Sequence, residues 1–491
     1  MKPACRRILS LLLSLSLVLT PLATHSDAYY YDLPDMGAAS GNLMTPQQER
    51  QLGKNFMRYI RATQKVLDDP LLDDYINRLG QSLVDNSKAR GRHFRFFLID
   101  DPQINAFAGP GGHIGVYTGL VLTTKSENEL AAVIAHEIAH VTQAHLLRAW
   151  QSASDMSLVQ GAALIAALLV GAALGGDAGI AGVMGAQAAL QQQQINFTRH
   201  NEEEADRIGI HILDEARFDP RAMPTFFARM GRANSVYASE LPEFLRTHPV
   251  TNARIADSLG RAEKLPYRQH QDSFGYLLTR AALREMSFRD PASAVRHFRS
   301  ALADGRYRDR DATRYGLARA LWRQGRLEAA AKEMATLLEA RPDTPEFLVT
   351  AARIDMDLGK SRQAIQRLEK AAADRPYHFP IQITLADLYL RADRPTEAYR
   401  LLDRLARHEQ EQPRVHQLLA RAAKALGREA DSHRHLADYY YLIGALEAAE
   451  LQLRIALRTP GLDDYQRARL ESRLKQVSAE AAELKKEKKR M

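Results

Sequence analysis

Hydrophobic and polar positions along this chain follow two different rhythms, one on each side of about residue 265. From Thr45 to about Gly260 the pattern mixes helix and strand. Thr45-Pro46-Gln47-Gln48 puts a Thr N-cap before a Pro at the first helical position, which opens a helix. Phe94 to Ile99 (FRFFLI) predicts a short strand. Asn105 to Leu122 (NAFAGPGGHIGVYTGLVL) predicts strand, Gly-rich turn and second strand, hence a hairpin. Ser126-Glu127-Asn128-Glu129 forms a capping box that opens an apolar helix running through His145.

Residues 273–459 change to Ala/Leu/Arg helices with short breaks. Gly325, Gly359 and Gly427 recur at multiples of 34, and Asp393 fills the missing phase. Five residues after each stands a small residue, Ala330, Ala364, Ala398 and Ser432, while Pro342 and Pro376 repeat the step after the second helix. A helix–turn–helix period of 34 with small residues where helices cross is the tetratricopeptide signature. An earlier unit fits around Ala282, Ala294 and Phe298, and a last one around Gly444, Ala449 and Leu453. The half-period step from 427 to 444 makes the array irregular at its end.

Composition narrows the class. A chain of 491 residues, 26% charged and 45% hydrophobic, suits two or three domains and excludes wholesale disorder, a collagen-like repeat and a disulfide-stapled scaffold. The formal charge of +8 sits mostly at the ends. Residues 1–28 hold +2 and Lys485–Arg490 holds +4, leaving +2 for everything between, so no nucleic-acid partner is expected. Lys2, Arg6 and Arg7 precede an Ile8–Leu19 apolar run too short to span a bilayer comfortably. Pro21 and Ser26-Asp27-Ala28 then complete a Sec-type signal peptide over 1–28, cleaved near Ala28; an uncleaved anchor is the alternative. The single cysteine, Cys5, precedes the apolar run and is not placed for lipidation, so the mature chain has none. The expected location is the periplasm. The expected domains are a mixed helix-and-strand unit at 29–262, the repeats at 273–459 and a basic helical tail at 460–491.

The chemistry lies at His136-Glu137-Ile138-Ala139-His140. Positions four apart share one helix face, so both imidazoles reach one zinc ion, while Glu137 holds the water that completes the site. A third protein ligand is required. The HExxHxxGxxH continuation fails, because Gln143 and Leu146 stand at the Gly and His positions; His145 is one residue out of register and is expected to face elsewhere. Downstream, Glu202 and Asp206 share a face, so Glu202 can ligate while Asp206 accepts a hydrogen bond from a ligating imidazole. Glu203 points about 100° away, and Glu204 has Ile208 rather than an acid four residues on. Three consecutive glutamates by themselves read better as a solvated face; coupled to HExxH, the order reverses.

HEIAH, Glu202-x-Glu204-Ala205-Asp206 and the NAFAGPGG…VYTGL hairpin together resemble the HtpX/CAAX-prenyl-endopeptidase family of zinc metallopeptidases, over about residues 45–460. A signal peptide and a repeat half narrow the resemblance to periplasmic members that serve outer-membrane β-barrel assembly. It implies an α+β, mainly helical fold: an HExxH domain with a small β-hairpin or sheet, followed by a tetratricopeptide solenoid. It implies one Zn2+ per chain and a glutamate ligand four residues before the Asp, which falls on Glu202. It gives Asp206 a proton-donor role, where the residues themselves favour orientation of a ligand. The implied partners are unfolded or stalled outer-membrane β-barrel proteins and the β-barrel assembly machinery. Glu137 is expected to act as general base, on a peptide paired with one strand of the 105–122 hairpin. A chaperone or scaffold with latent or minor proteolysis, and a metal-stabilised structural domain, are the alternatives; only the protease needs Glu137.

Two segments complete the reading. Gly161–Gly176 and Gly179–Leu190 are apolar but too short to span a membrane, and predict a helical hairpin that touches membrane or substrate or is simply buried. His248, before Pro249, has a route back to the zinc. It either donates to the oxyanion or fills the open metal position and blocks the site, with a surface histidine as the bland alternative.

Overall fold

The computed structural model describes residues 44–146, 199–236 and 243–488, together with Ile165. The expected signal peptide, the lead-in to Gly41, the 161–190 segment apart from Ile165 and the last three residues lie outside the described residues. Ile165 itself is 3% exposed and belongs to an apolar cluster with Leu52, Phe56, Phe107 and Tyr117.

Thr45 caps the helix Pro46–Thr63 through a full capping box with Gln48, and Asp69 caps Pro70–Asp85 by accepting from Leu71 N. Three short strands follow: β1 (Arg95–Ile99), β2 (Ala106–Gly109) and β3 (His113–Tyr117). They pair in the order β1-β3-β2, with β1 parallel and β2 antiparallel to β3, so β2 is an edge. The Gly-rich turn is required: Gly111 and Gly112 have φ of 69° and 76°, open to glycine without strain. The second strand is shorter than its apolar run predicts. Thr118 Oγ1 donates to Asp101 O at 2.9 Å and Gly119 N to the same oxygen at 3.0 Å, so Thr118–Thr123 turns into a helix. Local apolarity cannot distinguish the two; the Asp101 carbonyl decides.

Ser126 opens the motif helix Glu127–Thr142 as its capping box predicts. The helix ends three residues earlier than expected, at a left-handed Ala144 (φ 52°). The carboxylate helix Arg199–Glu215 crosses the motif helix at Gly209, where a Cβ would stand 3.2 Å from His136 N. Helices Ala222–Val236, Glu243–Thr247 and Asn252–Ala262 close the N-terminal half.

Antiparallel helix pairs then run from Phe274–Ser287 and Pro291–Ala303 to Leu446–Arg458 and Asp464–Lys488. The phase residues share one backbone state: Gly325, Gly359, Asp393 and Gly427 have φ of 78°, 77°, 54° and 68°. Asp393 adopts it because short polar side chains tolerate the left-handed region. Ala330, Ala364 and Ala398 are wholly buried where helices cross, and Ser432 stays there by donating to Ala420 O at 2.9 Å. Gly444 (φ 82°) repeats the turn half a period early, so Leu446–Arg458 and the tail helix form the closing pair. Leu470, Val477 and Ala481 of that tail are buried against Ala437 and Ala449, which makes the tail a cap on the array.

The two halves pack at both ends of the solenoid. Tyr75 and Leu130 share a core with Tyr276, Leu321 and Phe347. Arg280 donates to the carbonyls of Leu122 and Thr124, which end the helix Thr118–Thr123. The solenoid then returns to the first described helix, where Arg58 pairs with Glu480 and a Cβ at Gly444 would stand 2.6 Å from Arg58 O.

Candidate metal centre

His136 and His140 are wholly buried on the inner face of the motif helix, with their Nε2 atoms 2.9 Å apart. Glu202, from the crossing helix, brings Oε2 to 3.5 Å from His136 Nε2 and Oε1 to 3.5 Å from His140 Nε2. His248, delivered by Glu243–Thr247, places Nδ1 3.1 Å from Glu202 Oε1 and 3.3 Å from His136 Nε2. Four ligand atoms, one from each residue, thus lie within 4.8 Å of one another, all buried.

A second layer orients them. Asp206 Oδ1 lies 2.9 Å from His136 Nδ1, so Nδ1 carries a proton and Nε2 is the nitrogen that faces the centre. Arg254 clamps Asp206 with two 2.8 Å hydrogen bonds, reaches Glu202 at 2.9 Å, and lies over the Phe227 ring at 5.0 Å. His145 does not face elsewhere: left-handed Ala144 swings it back, so its Nδ1 is 2.7 Å from His140 Nδ1 and its Nε2 3.2 Å from Glu204. Heptad-style counting along one helix fails here because the helix has already ended. Glu203 is exposed.

The donor set fits a divalent cation. Glu137, Glu202 and Asp206 against Arg254 leave two negative charges among imidazoles. In the metal-free protein His136 offsets part of this. Burial disfavours its protonation, but hydrogen bonds to Asp206 and Glu202 outweigh burial and raise its pKa to about 10. Burial and the charge on His136 push His140 well down. Glu202 is held well below the carboxylate range despite burial, by His248 and His136. Burial lifts Glu137 against the pull of His248 and His136; its Oε1 makes no hydrogen bond among the described residues. Beside His140, β2 and the Gly-rich turn bound a cavity of about 20 Å³, room for about one water.

Arg254, His145 and Glu204 were not assigned from sequence. Arg254 lies 48 residues from Asp206, beyond any helical spacing, and His145 depends on one left-handed residue.

Similarity to known proteins extends over both halves of the chain. Residues 70–262 match peptidase family M48, and residues 286–354 and 355–422 match tetratricopeptide repeats. The chain is 35% identical to the β-barrel assembly-enhancing protease of Escherichia coli (strain K12) over 445 residues, 91% of either chain. It is 34% identical, over the same extent, to the protein so named in Yersinia pestis. Over 181 residues it is 32% identical to the mitochondrial metalloendopeptidase OMA1 of Schizosaccharomyces pombe, covering 37% of this chain and 50% of that one. No described helix is long and apolar enough to cross a membrane.

Proposed function

The chain belongs to peptidase family M48 and, within it, to the β-barrel assembly-enhancing proteases, and we propose that it is a periplasmic zinc endopeptidase acting on outer-membrane β-barrel proteins that stall during assembly. The convergence of His136, His140 and Glu202 in a buried, carboxylate-rich cluster carries this reading. His136, His140 and Glu202 would hold the ion. When bound, zinc supplies Lewis-acid polarisation of the scissile carbonyl and of water. Glu137 accepts the attacking water's proton at Oε1, which makes no hydrogen bond among the described residues and lies 3.5 Å from His248 Nε2, and returns it to the leaving amine. Asp206 fixes the tautomer of His136, which needs no unusual protonation of Asp206 itself. The substrate backbone pairs with β2, which has one strand neighbour among the described residues and lies against Glu137, and this positions a bond without reading much sequence. The 29–262 half cleaves; the 273–459 repeats recruit clients and the assembly machinery.

A second reading, a client-binding protein whose protease rests latent, has one observation in its favour. His248 occupies the ligand cluster rather than its periphery. A neutral imidazole there excludes water and holds the protease off. His248→Ala then raises degradation of an unfolded β-barrel client. If His248 is instead an oxyanion donor, the same variant loses on the order of 10²-fold in turnover with metal retained. Unchanged activity and unchanged metal coordination in this variant defeat both roles. Comparing wild type with Glu137→Gln on that client, with metal content measured alongside, tests the enzyme reading. Equal degradation by the two proteins would sink it.

A further inference from the structure

A cavity of about 540 Å³ lies away from the metal cluster, between helix Pro46–Thr63 and the last repeats. Seven Lys or Arg residues line it; Lys54, Arg58, Arg407, Arg434 and Arg473 pair with Glu411, Glu480, Asp403, Asp431 and Asp438, which leaves Arg61 and Arg469. Arg61 points its guanidinium at the backbone carbonyls of Leu442 and Glu411, at 3.2 and 3.1 Å, and has no carboxylate partner. Arg469 is exposed at the rim and makes no ion pair among the described residues.

His435 decides the sign of the ligand. It is 5% exposed, and its Nε2 accepts from Arg434 at 2.8 Å. The ring proton therefore sits on Nδ1, which has no hydrogen-bond partner. His416, His435 and Asp438 are close enough to suggest a second metal site. A metal would need the Nδ1 lone pair, forcing the ring proton onto Nε2 against the N–H of Arg434. The wall thus offers an orphaned buried N–H and surplus guanidinium, which calls for an anion.

We propose that this cavity binds the C-terminal carboxylate of an extended polypeptide, an acceptor the repeats hold apart from the cleavage site. Its volume falls in the range of about 300–1,000 Å³ that houses a ligand of a few residues' size. Met57, Ala406 and Leu442 among the cationic heads suit a chain end with an aliphatic side chain, not a bare phosphate.

The test uses the full chain carrying Glu137→Gln and a fluorescent Gly/Ser peptide ending in leucine, as free acid and as amide, read by anisotropy. The free acid binds; amidation weakens it roughly 10- to 100-fold, the scale of one or two charge-assisted hydrogen bonds. Arg61→Gln and Arg469→Ala weaken the acid only, and added salt narrows the difference. Arg469 is exposed, so its variant stays informative even if Arg61→Gln loosens the junction. Equal binding of acid and amide, no binding of either, or Arg61-dependent binding of inorganic phosphate or lipopolysaccharide vesicles with the peptide ignored, each overturns the proposal.

Discussion

The metal cluster and the cavity at the solenoid's end are both lined by histidine, arginine and carboxylates, yet their bookkeeping of charge is opposite. Around His136 the carboxylates exceed the guanidinium, and Arg254 contacts both Asp206 and Glu202. Around His435 two guanidinium groups, Arg61 and Arg469, have no carboxylate partner among the described residues, and a buried donor has no acceptor. Residue types alone do not distinguish a cation site from an anion site. Which ring nitrogen carries the proton, and which neighbour claims it, does.

The largest effect that would sharpen this contrast is chemical. Glu137→Gln should cut proteolysis of an unfolded client by roughly 10²- to 10⁴-fold while metal content stays at one ion per chain. Loss of the metal as well would make Glu137 part of the holding set. Next comes Arg254→Ala, which strands two buried carboxylates. Urea unfolding of the metal-free protein should show a loss of about 3–5 kcal/mol. A loss within error would mean that the cluster is wetter than its burial implies.

Asp206→Ala should weaken metal affinity about 10- to 100-fold, and His145→Ala by less, both read by competition with a chelator. His145→Gln should restore part of the loss by keeping an acceptor for His140 Nδ1. No change in the chelator titration for either alanine variant would remove these residues from the orienting layer.

The smallest effect lies at the junction of the halves. Glu127 accepts from Tyr75 Oη at 2.9 Å and from Ser273 N and Oγ at 2.7 Å. Burial raises its pKa, but the hydrogen bonds from His270 and Ser273 win, and the folded value lies below the ordinary 4.5. A depressed folded pKa adds stability that is present above the unfolded value and lost as pH falls through the folded one. Glu127→Gln should therefore flatten the acid limb of the thermal-stability profile below about pH 4.5. An unaltered limb would mean that other carboxylates set it.

Much of this was legible in order of residues. Spacing put His136 and His140 on one face; the Glu202–Asp206 phase singled out one glutamate of three; a period of 34 marked the helix turns, including the one at Asp393 whose φ is 54°. Each rests on a local period, which backbone geometry enforces wherever the helix forms. Tertiary structure alone decided where β3 ends, because the Asp101 carbonyl captures Thr118 and Gly119. It alone turned His145 inward, through one left-handed alanine, and brought Arg254 across 48 residues onto Asp206. It also carried the end of the solenoid back to helix Pro46–Thr63, joining Arg61 to residues 350 and more positions away. Such contacts depend on where separate elements come to rest, and no local period records that.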